Sequence, residues 1–167
     1  MIRSAATADI PILRELERAA GKPFADIGMT AVAEDEPPSA DTLREFVEAG
    51  RAWVWIAAGT PVAYLIAAVV DGNAHIEQVS VHPAHRGERI GRRLIDHAMN
   101  WTRDKGLPAI TLTTFTEVPW NGPYYETLGF RYLDIAEETP GLRAIRAAED
   151  AHGLDHWPRA CMRAEVY

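Results

Sequence analysis

Cysteine is nearly absent from this chain, whose 167 residues include only Cys161. A single cysteine excludes an internal disulfide and provides no cysteine pair for a zinc site. It lies in an apolar stretch, 160–166, whose composition is typical of a strand, so we expect a small buried side chain there. A hydrophobic core must therefore stabilise the fold without a disulfide, and an apolar content of 47 % is enough to build such a core.

Long apolar runs are missing as well. The longest, 62–70, is much shorter than the roughly 20 residues that a helix needs to cross a bilayer. The first twenty residues carry scattered charges and no apolar segment typical of a secretory signal. These absences predict a cytoplasmic protein with no membrane partner.

An excess of positive charge is also lacking, because the net charge is −7. A nucleic-acid partner is therefore not expected, since such binding relies on cations that neutralise phosphates. The cations that are present are concentrated: Arg86 to Lys105 holds six of them against three acids. This segment is positive in an acidic protein, which favours an anion as its ligand.

The positive segment begins at a turn between a strand and a helix. Apolar residues alternate up to Val81, Pro83 ends the strand, and Gly87 and Gly91 bracket a turn. Helical spacing follows at Ile90, Leu94, Ala98 and Trp101. A helix that starts in this way presents unpaired N–H groups and the positive end of its dipole. We therefore predict a phosphate or pyrophosphate site, whereas any single arginine could be a solvated surface residue.

The order of patterns predicts an α/β (α+β) fold with a mixed sheet. We expect helices over 7–21, 39–50, 90–105 and 123–128, and strands over 2–5, 52–58, 62–70, 74–81, 108–113, 130–134 and 160–166. The strand at 108–113 should run parallel to the one before it, because a helix connects them. Residues 24–38 and 135–158 show no clear pattern, although 142–152 could be helical. The acidic loop 34–38 is either solvated or one wall of a site for an amine.

Two motifs in this order resemble the GNAT superfamily of acetyl-CoA-dependent N-acetyltransferases. The first is the strand and turn from Val79 to Leu94, which is similar to the pyrophosphate loop of that family. The second is Asn121-Gly-Pro-Tyr-Tyr-Glu-Thr-Leu-Gly-Phe130, which is similar to its asparagine followed by a tyrosine helix. The resemblance implies a GNAT-like, mostly antiparallel sheet flanked by helices in a single domain, 1–167.

The resemblance also implies a reaction and its ligands. An amine of a small molecule or peptide would attack acetyl-CoA directly in a ternary complex, without a metal. The backbone of Val79 to Val81, with Ser80 between them, would pair with the pantetheine arm. The pyrophosphate would bind the loop residues Arg86, Gly87, Glu88, Arg89, Ile90, Gly91 and Arg92. The oligomeric state is left open, with a homodimer as one option.

Catalytic roles have several candidates. Glu77 shares a strand face with Val79 and could act as the base, or it could simply face solvent. His75, His82 and His85 are alternative bases, although each is more readily explained as an ordinary surface or turn histidine. By resemblance, Tyr125 would protonate the departing thiolate, since a phenol is protonated at neutral pH.

Two further residues carry open questions. By resemblance, Asn121 would contact the pantetheine, although a helix N-cap is an equal explanation. Arg89 stands where the family pattern has its middle glycine, and its side chain could hinder the pyrophosphate or bind a phosphate. Arg89 therefore keeps open the alternative of a non-catalytic acyl-CoA-binding module. Some other phosphate-binding α/β protein is the third hypothesis.

Overall fold

The computed structural model describes all residues, 1–167, as six α-helices and seven strands. The helices are α1 (Ile10–Gly21), α2 (Thr30–Ala33), α3 (Ala40–Glu48), α4 (Ile90–Asp104), α5 (Gly122–Thr127) and α6 (Pro140–Ala151). The strands are β1 (Ile2–Ser4), β2 (Ala52–Ala57), β3 (Thr60–Val70), β4 (Asn73–Val81), β5 (Ala109–Phe115), β6 (Arg131–Tyr132) and β7 (Arg159–Glu165). They form one sheet in the order β1-β2-β3-β4-β5-β7-β6.

The chain divides into two compact units, and both β3 and β4 contribute residues to each of them. The first unit contains Met1–Ala68 and Glu77–Ala98, and the second contains Val69–Ile76 and Met99–Tyr167. No helix combines the length and the apolar character needed to cross a membrane.

In the first unit, α1 and α3 pack on one face of an antiparallel ribbon. Strand β2 pairs with β1 and with β3, and Val54, Tyr64 and Ile66 meet the apolar side chains of the two helices. Leu13 of α1 and Leu43 of α3 are fully buried there. The hydroxyl of Ser39 accepts a hydrogen bond from the Thr42 amide and so caps α3.

Helix α4 begins in the first unit and packs Arg93 and His97 against aromatic rings of β2. The guanidinium of Arg93 lies 5.2 Å from the Trp55 ring centroid, and His97 meets Trp53 edge-on at 5.4 Å. Leu94, Ile95 and Ala98 are buried, as the helical spacing predicts.

In the second unit, β7 pairs antiparallel with β5 and β6. Residues Ala74 and His75 of β4 pair with Ile110 and Thr111 of β5, and this register is parallel, as predicted. Cys161 is buried beside Leu133 and Leu142 of α6, so its expected role as a small buried side chain is confirmed. Burial also raises the pKa of its thiol to about 12.

Several predicted boundaries differ from those in the structure. The predicted strand 130–134 is reduced to Arg131–Tyr132, because only these two residues pair with β7. The stretch after α1 is not irregular but contains a 3-10 helix, Lys22–Ile27, followed by α2. Both are too short to show helical periodicity. Helix α5 begins at Gly122, one residue before the predicted start at Pro123.

Candidate active site

A short 3-10 helix, Pro83–His85, leads from β4 into the predicted anion loop. Gly87 adopts a left-handed conformation with φ of 80°, and α4 begins at Ile90. The amide of Arg93 donates to the carbonyl of Arg89 at 3.2 Å, which is the first helical hydrogen bond. The amides of Ile90, Gly91 and Arg92 precede it and therefore have no partner one helical turn back. This arrangement can hold an anion at the positive end of α4.

Arg89 also lies in the left-handed region, with φ of 60°. Arg89 stands where the family pattern has its middle glycine, and the left-handed backbone at this position explains why glycine is suited to it. An L-residue with a side chain pays about 1–2 kcal/mol for this conformation. The loop keeps the backbone geometry that a glycine would give, and it adds an exposed guanidinium at a cost in stability.

The two histidines of the loop take part in its construction. Nδ1 of His82 accepts a hydrogen bond from the Ala84 amide at 3.0 Å, which caps the 3-10 helix. Nδ1 of His85 lies 2.8 Å from Oε2 of Glu88. These contacts support the interpretation of both residues as turn histidines rather than bases.

His75 is a core residue of the second unit. Its side chain is 2 % exposed, and its Nδ1 lies 2.8 Å from Oγ1 of Thr111. Burial lowers its pKa to about 4, so the imidazole is neutral at physiological pH. A buried neutral histidine that is bonded to a threonine is explained by packing, and it makes a poor base candidate.

The C-terminal half of β4 belongs to the first unit and carries the other predicted residues. Glu77 is exposed, Val79 and Val81 are half-buried, and Ser80 is buried. The Ser80 hydroxyl turns toward α1, where it donates to Oε2 of Glu17 at 2.7 Å. Ser80 therefore offers its side chain to the protein, and its backbone remains the predicted contact for a ligand.

Sequence reasoning missed Glu17. Its Oε2 also accepts a hydrogen bond from the Tyr64 hydroxyl at 2.6 Å. Burial raises the pKa of the Glu17 carboxyl, and it raises the pKa of Tyr64 well above the usual value. One pattern could have identified Glu17: it follows Leu13 by one turn, so a carboxylate interrupts the apolar face of α1.

Helix α5, in the second unit, carries the predicted tyrosine. Tyr125 is half-buried, and its ring packs edge-on against Phe130 at 6.0 Å. Asn121 occupies the N-cap position of α5, but its side chain makes no capping bond. Its Oδ1 instead accepts from Thr114 of β5 at 3.2 Å. The N-cap alternative is therefore right for the position of Asn121, but the side chain does not cap the helix.

The structure thus groups the predicted residues by unit. Glu77, Val79 to Val81 and the anion loop lie in the first unit, and Asn121 and Tyr125 lie in the second. The donor set of the first unit, with helix amides and exposed arginines, fits a pyrophosphate. No group of three histidine, cysteine, aspartate or glutamate side chains is arranged to hold a metal ion.

Comparisons with known proteins agree with this geometry. Residues 12–130 match the profile described as "Acetyltransferase (GNAT) family". The fold is similar to PaiA N-acetyltransferase from Thermoplasma acidophilum, solved with coenzyme A, at 16 % identity and a TM-score of 0.74, over 99 % of this chain and 98 % of that one. It is also similar to the ribosomal-protein-S18-alanine N-acetyltransferase from Escherichia coli, at 18 % identity and a TM-score of 0.69, over 99 % and 93 %. A third match is Rv2747 from Mycobacterium tuberculosis, solved with CoA, at 20 % identity and a TM-score of 0.71. It covers 100 % of this chain and 99 % of that one.

Proposed function

Because this chain belongs to the GNAT acetyltransferase family, whose cosubstrate is acetyl-CoA, we propose that it acetylates a primary amine of a small molecule or peptide. The observation that carries the proposal is the loop before α4, where left-handed residues at 87 and 89 lead into unpaired helix amides. Both cited proteins with this fold are described as N-acetyltransferases, and the description of the Escherichia coli protein names an alanine of a ribosomal protein.

In the proposed complex, the amides of 86–92 bind the pyrophosphate, and the exposed Arg89 and Arg92 add charge-assisted contacts. The backbone of Val79 to Val81 pairs with the pantetheine as a neighbouring strand would. Asn121 contacts the same arm through the part of its amide that Thr114 does not occupy. These contacts would place the thioester for attack.

Two side chains carry the proton transfers in this proposal. Glu77 accepts a proton from the acceptor ammonium, directly or through one water, and the neutral amine then attacks the thioester carbonyl. The carbon–sulfur bond breaks, and Tyr125 donates its proton to the departing thiolate. Glu77 is exposed in the protein without ligands, so a water molecule can reach it.

The proposal is tested by following thiol release from acetyl-CoA with spermidine, a peptide with a free N-terminal alanine, and kanamycin. Release above the blank with one of them supports transfer to an amine, and no release with any of them contradicts it. A thermal-shift measurement with CoA separates the alternatives. A non-catalytic acyl-CoA-binding module would be stabilised without turnover, and an unrelated phosphate-binding protein would not respond.

Tyr125→Phe is expected to lower kcat by about 10²-fold or more, because a general acid typically contributes 10²–10⁴-fold. The KM for acetyl-CoA should change little, since the aromatic contact with Phe130 is kept. Tyr124→Phe is the matched control, because it removes the hydroxyl of the neighbouring tyrosine on the same helix. Equal kcat in the two variants would remove Tyr125 from the role of acid.

Glu77→Gln is expected to flatten the acidic limb of the kcat profile, because the carboxylate that takes the proton is gone. Steady-state rates at saturating acetyl-CoA across the pH range of stability give this profile. Asp96→Asn, which changes an exposed acid of α4 outside the loop, is the control and should keep the limb. A limb that survives in Glu77→Gln would assign the base to water.

A further inference from the structure

Glu17 is a partly buried carboxylate to which the proposed mechanism gives no role. Both of its recorded hydrogen bonds are made by Oε2, which accepts from the hydroxyls of Tyr64 and Ser80. Ser80 in turn accepts from the side-chain amide of Gln78 at 3.0 Å. These partners fix the carboxylate firmly between α1, β3 and β4, and all of them are neutral.

No cation balances this carboxylate within the protein. Its recorded partners are the two hydroxyls, and the one charged residue that acts on it is Asp35, which raises its pKa further. A carboxylate taken from water without a counter-charge costs several kcal/mol, and proteins keep such groups mainly at functional sites. Tyr64 and Ser80 satisfy Oε2 in part, while Oε1 has no recorded hydrogen bond and the residue is not fully covered.

The neighbourhood of Glu17 in the first unit is suited to a cation. Asp35 belongs to the acidic loop after α2, and this loop borders a cavity of about 460 Å³. The lining has three acids, Glu34, Asp35 and Glu36, and two cations, Arg18 and Lys22. Arg18 lies 4.0 Å from Glu36, and both of these side chains are exposed. Acids therefore outnumber cations along this lining, and one of them, Asp35, acts electrostatically on Glu17.

We propose that Glu17 is a specificity-determining residue, whose carboxylate binds a cationic amine group of the acceptor through Oε1. This inference rests on the proposed function and specifies its acceptor as a cationic alkylamine. Tyr64 and Ser80 hold the carboxylate in place, and Glu77 keeps the separate task of taking the proton. The ligand supplies the positive charge that the protein does not.

The proposal requires a definite dependence of binding on pH. An ammonium group binds the ionised form of Glu17, and the pKa of that carboxyl is raised in the free protein. The KM for the acceptor should therefore be low above this pKa and should rise as the pH falls through it. The groups that face Glu17 are Tyr64 from β3, Ser80 and Gln78 from β4, and Asp35 from the acidic loop.

Glu17→Gln is the decisive variant, because a glutamine oxygen can still accept from both hydroxyls. We expect the KM for spermidine to rise by about tenfold or more, as for the loss of a hydrogen bond to a charged group. The KM for acetyl-CoA should stay within about twofold of the wild-type value. The pH dependence of the spermidine KM should also become flat. Glu15→Gln is the matched control, since Glu15 is an exposed acid on the same helix.

The melting temperature separates this role from a purely structural one. The pKa of this carboxyl is raised in the folded state, so its protonation stabilises the fold at pH values below its unfolded-state pKa. This stabilisation is lost as the pH rises through its folded-state pKa. Glu17→Gln should therefore be as stable as the wild type at neutral pH, or more stable. A lower melting temperature with a parallel rise in both KM values would overturn the proposal in favour of a structural role.

The remaining outcomes are also distinct. An active wild type with unchanged spermidine KM in Glu17→Gln would overturn this inference and leave the proposed acetyl transfer standing. A wild type that acetylates neither spermidine, nor the peptide, nor kanamycin would overturn the proposed function and this inference together.

Discussion

At the scale of single residues, Arg89 combines an unfavourable backbone conformation with a positive charge at the start of α4. Its φ of 60° is unfavourable for any residue with a Cβ, and its exposed guanidinium adds to the positive charge at the start of α4. Such strain is commonly found where function requires a side chain that stability would reject.

Arg89→Gly is therefore expected to stabilise the protein and to weaken CoA binding. Relief of about 1–2 kcal/mol of strain is offset in part by the roughly 0.5–1 kcal/mol of extra chain entropy that glycine brings. Urea unfolding should show a net gain of about 0–1.5 kcal/mol. Arg89→Ala loses the same charge and keeps the strained conformation, so it should gain nothing. Equal stability of the two variants would show that the left-handed backbone is not the cause.

The histidines and Glu17 show what single-residue patterns can and cannot predict. The turn roles of His82 and His85 could be predicted, because both lie next to Pro83 at the end of a strand. The partner of Glu17 could not be predicted, since Ser80 is 63 residues away in sequence and only the packing of α1 on β4 joins them.

At the scale of elements, the N-terminus of α6 is capped from a distant hairpin. Thr139 holds the N-cap position without a side-chain capping bond. The carboxylate of Asp71, in the turn between β3 and β4, accepts from the Gly141 amide at 2.7 Å. Hydrogen bonds from the Thr139 side chain and from the amides of Gly141 and Leu142 lower the pKa of Asp71. A negative charge at this end of the helix also complements its dipole.

Asp71→Asn should lower the melting temperature at neutral pH, by roughly 2–4 °C for a chain of this size. The pKa of Asp71 is lowered in the folded state. Its contribution to stability is therefore present at pH values above its unfolded-state pKa, and it is lost as the pH falls through its folded-state pKa. The difference from wild type should therefore shrink below about pH 4. Asp150→Asn, at the opposite end of α6, is the control and should not destabilise. A difference that is constant with pH would contradict capping by the carboxylate.

Elements with long periodic patterns could be predicted from the sequence, and those defined by distant pairing could not. The alternation in β4 and the helical spacing in α4 placed both elements correctly, because each pattern arises within the element itself. The end of β6 depends on which residues meet β7, and the cap of α6 depends on a turn near residue 71. Neither feature leaves a local pattern.

At the scale of the whole molecule, charge is distributed unevenly along an acidic chain. The net charge is −7, yet the segment from Arg86 to Lys105 carries six cations. The acids around Glu17 and the cations of the loop lie within the same first unit. In the proposed reaction, the cations attract the polyphosphate of acetyl-CoA and the acids attract the amine.

The loop of the proposed anion site could be predicted from sequence, because a strand, a glycine turn and a helix form it within about twenty consecutive residues. The family resemblance rests on the same stretch and on the helix that carries Tyr125. The proposed acceptor side could not be predicted, since it would draw on α1, the loop after α2 and the strand residues that contact Glu17. Its components come together only when the chain folds.

The left-handed Arg89 also has a consequence for how easily this loop could change. Every arginine codon differs from a glycine codon by one base, so the gene lies a single transversion or transition away from the relaxed loop. A readily accessible mutation that is expected to stabilise this loop would therefore also remove a charge that we propose binds phosphate, and selection for thermal stability alone would be expected to enrich it.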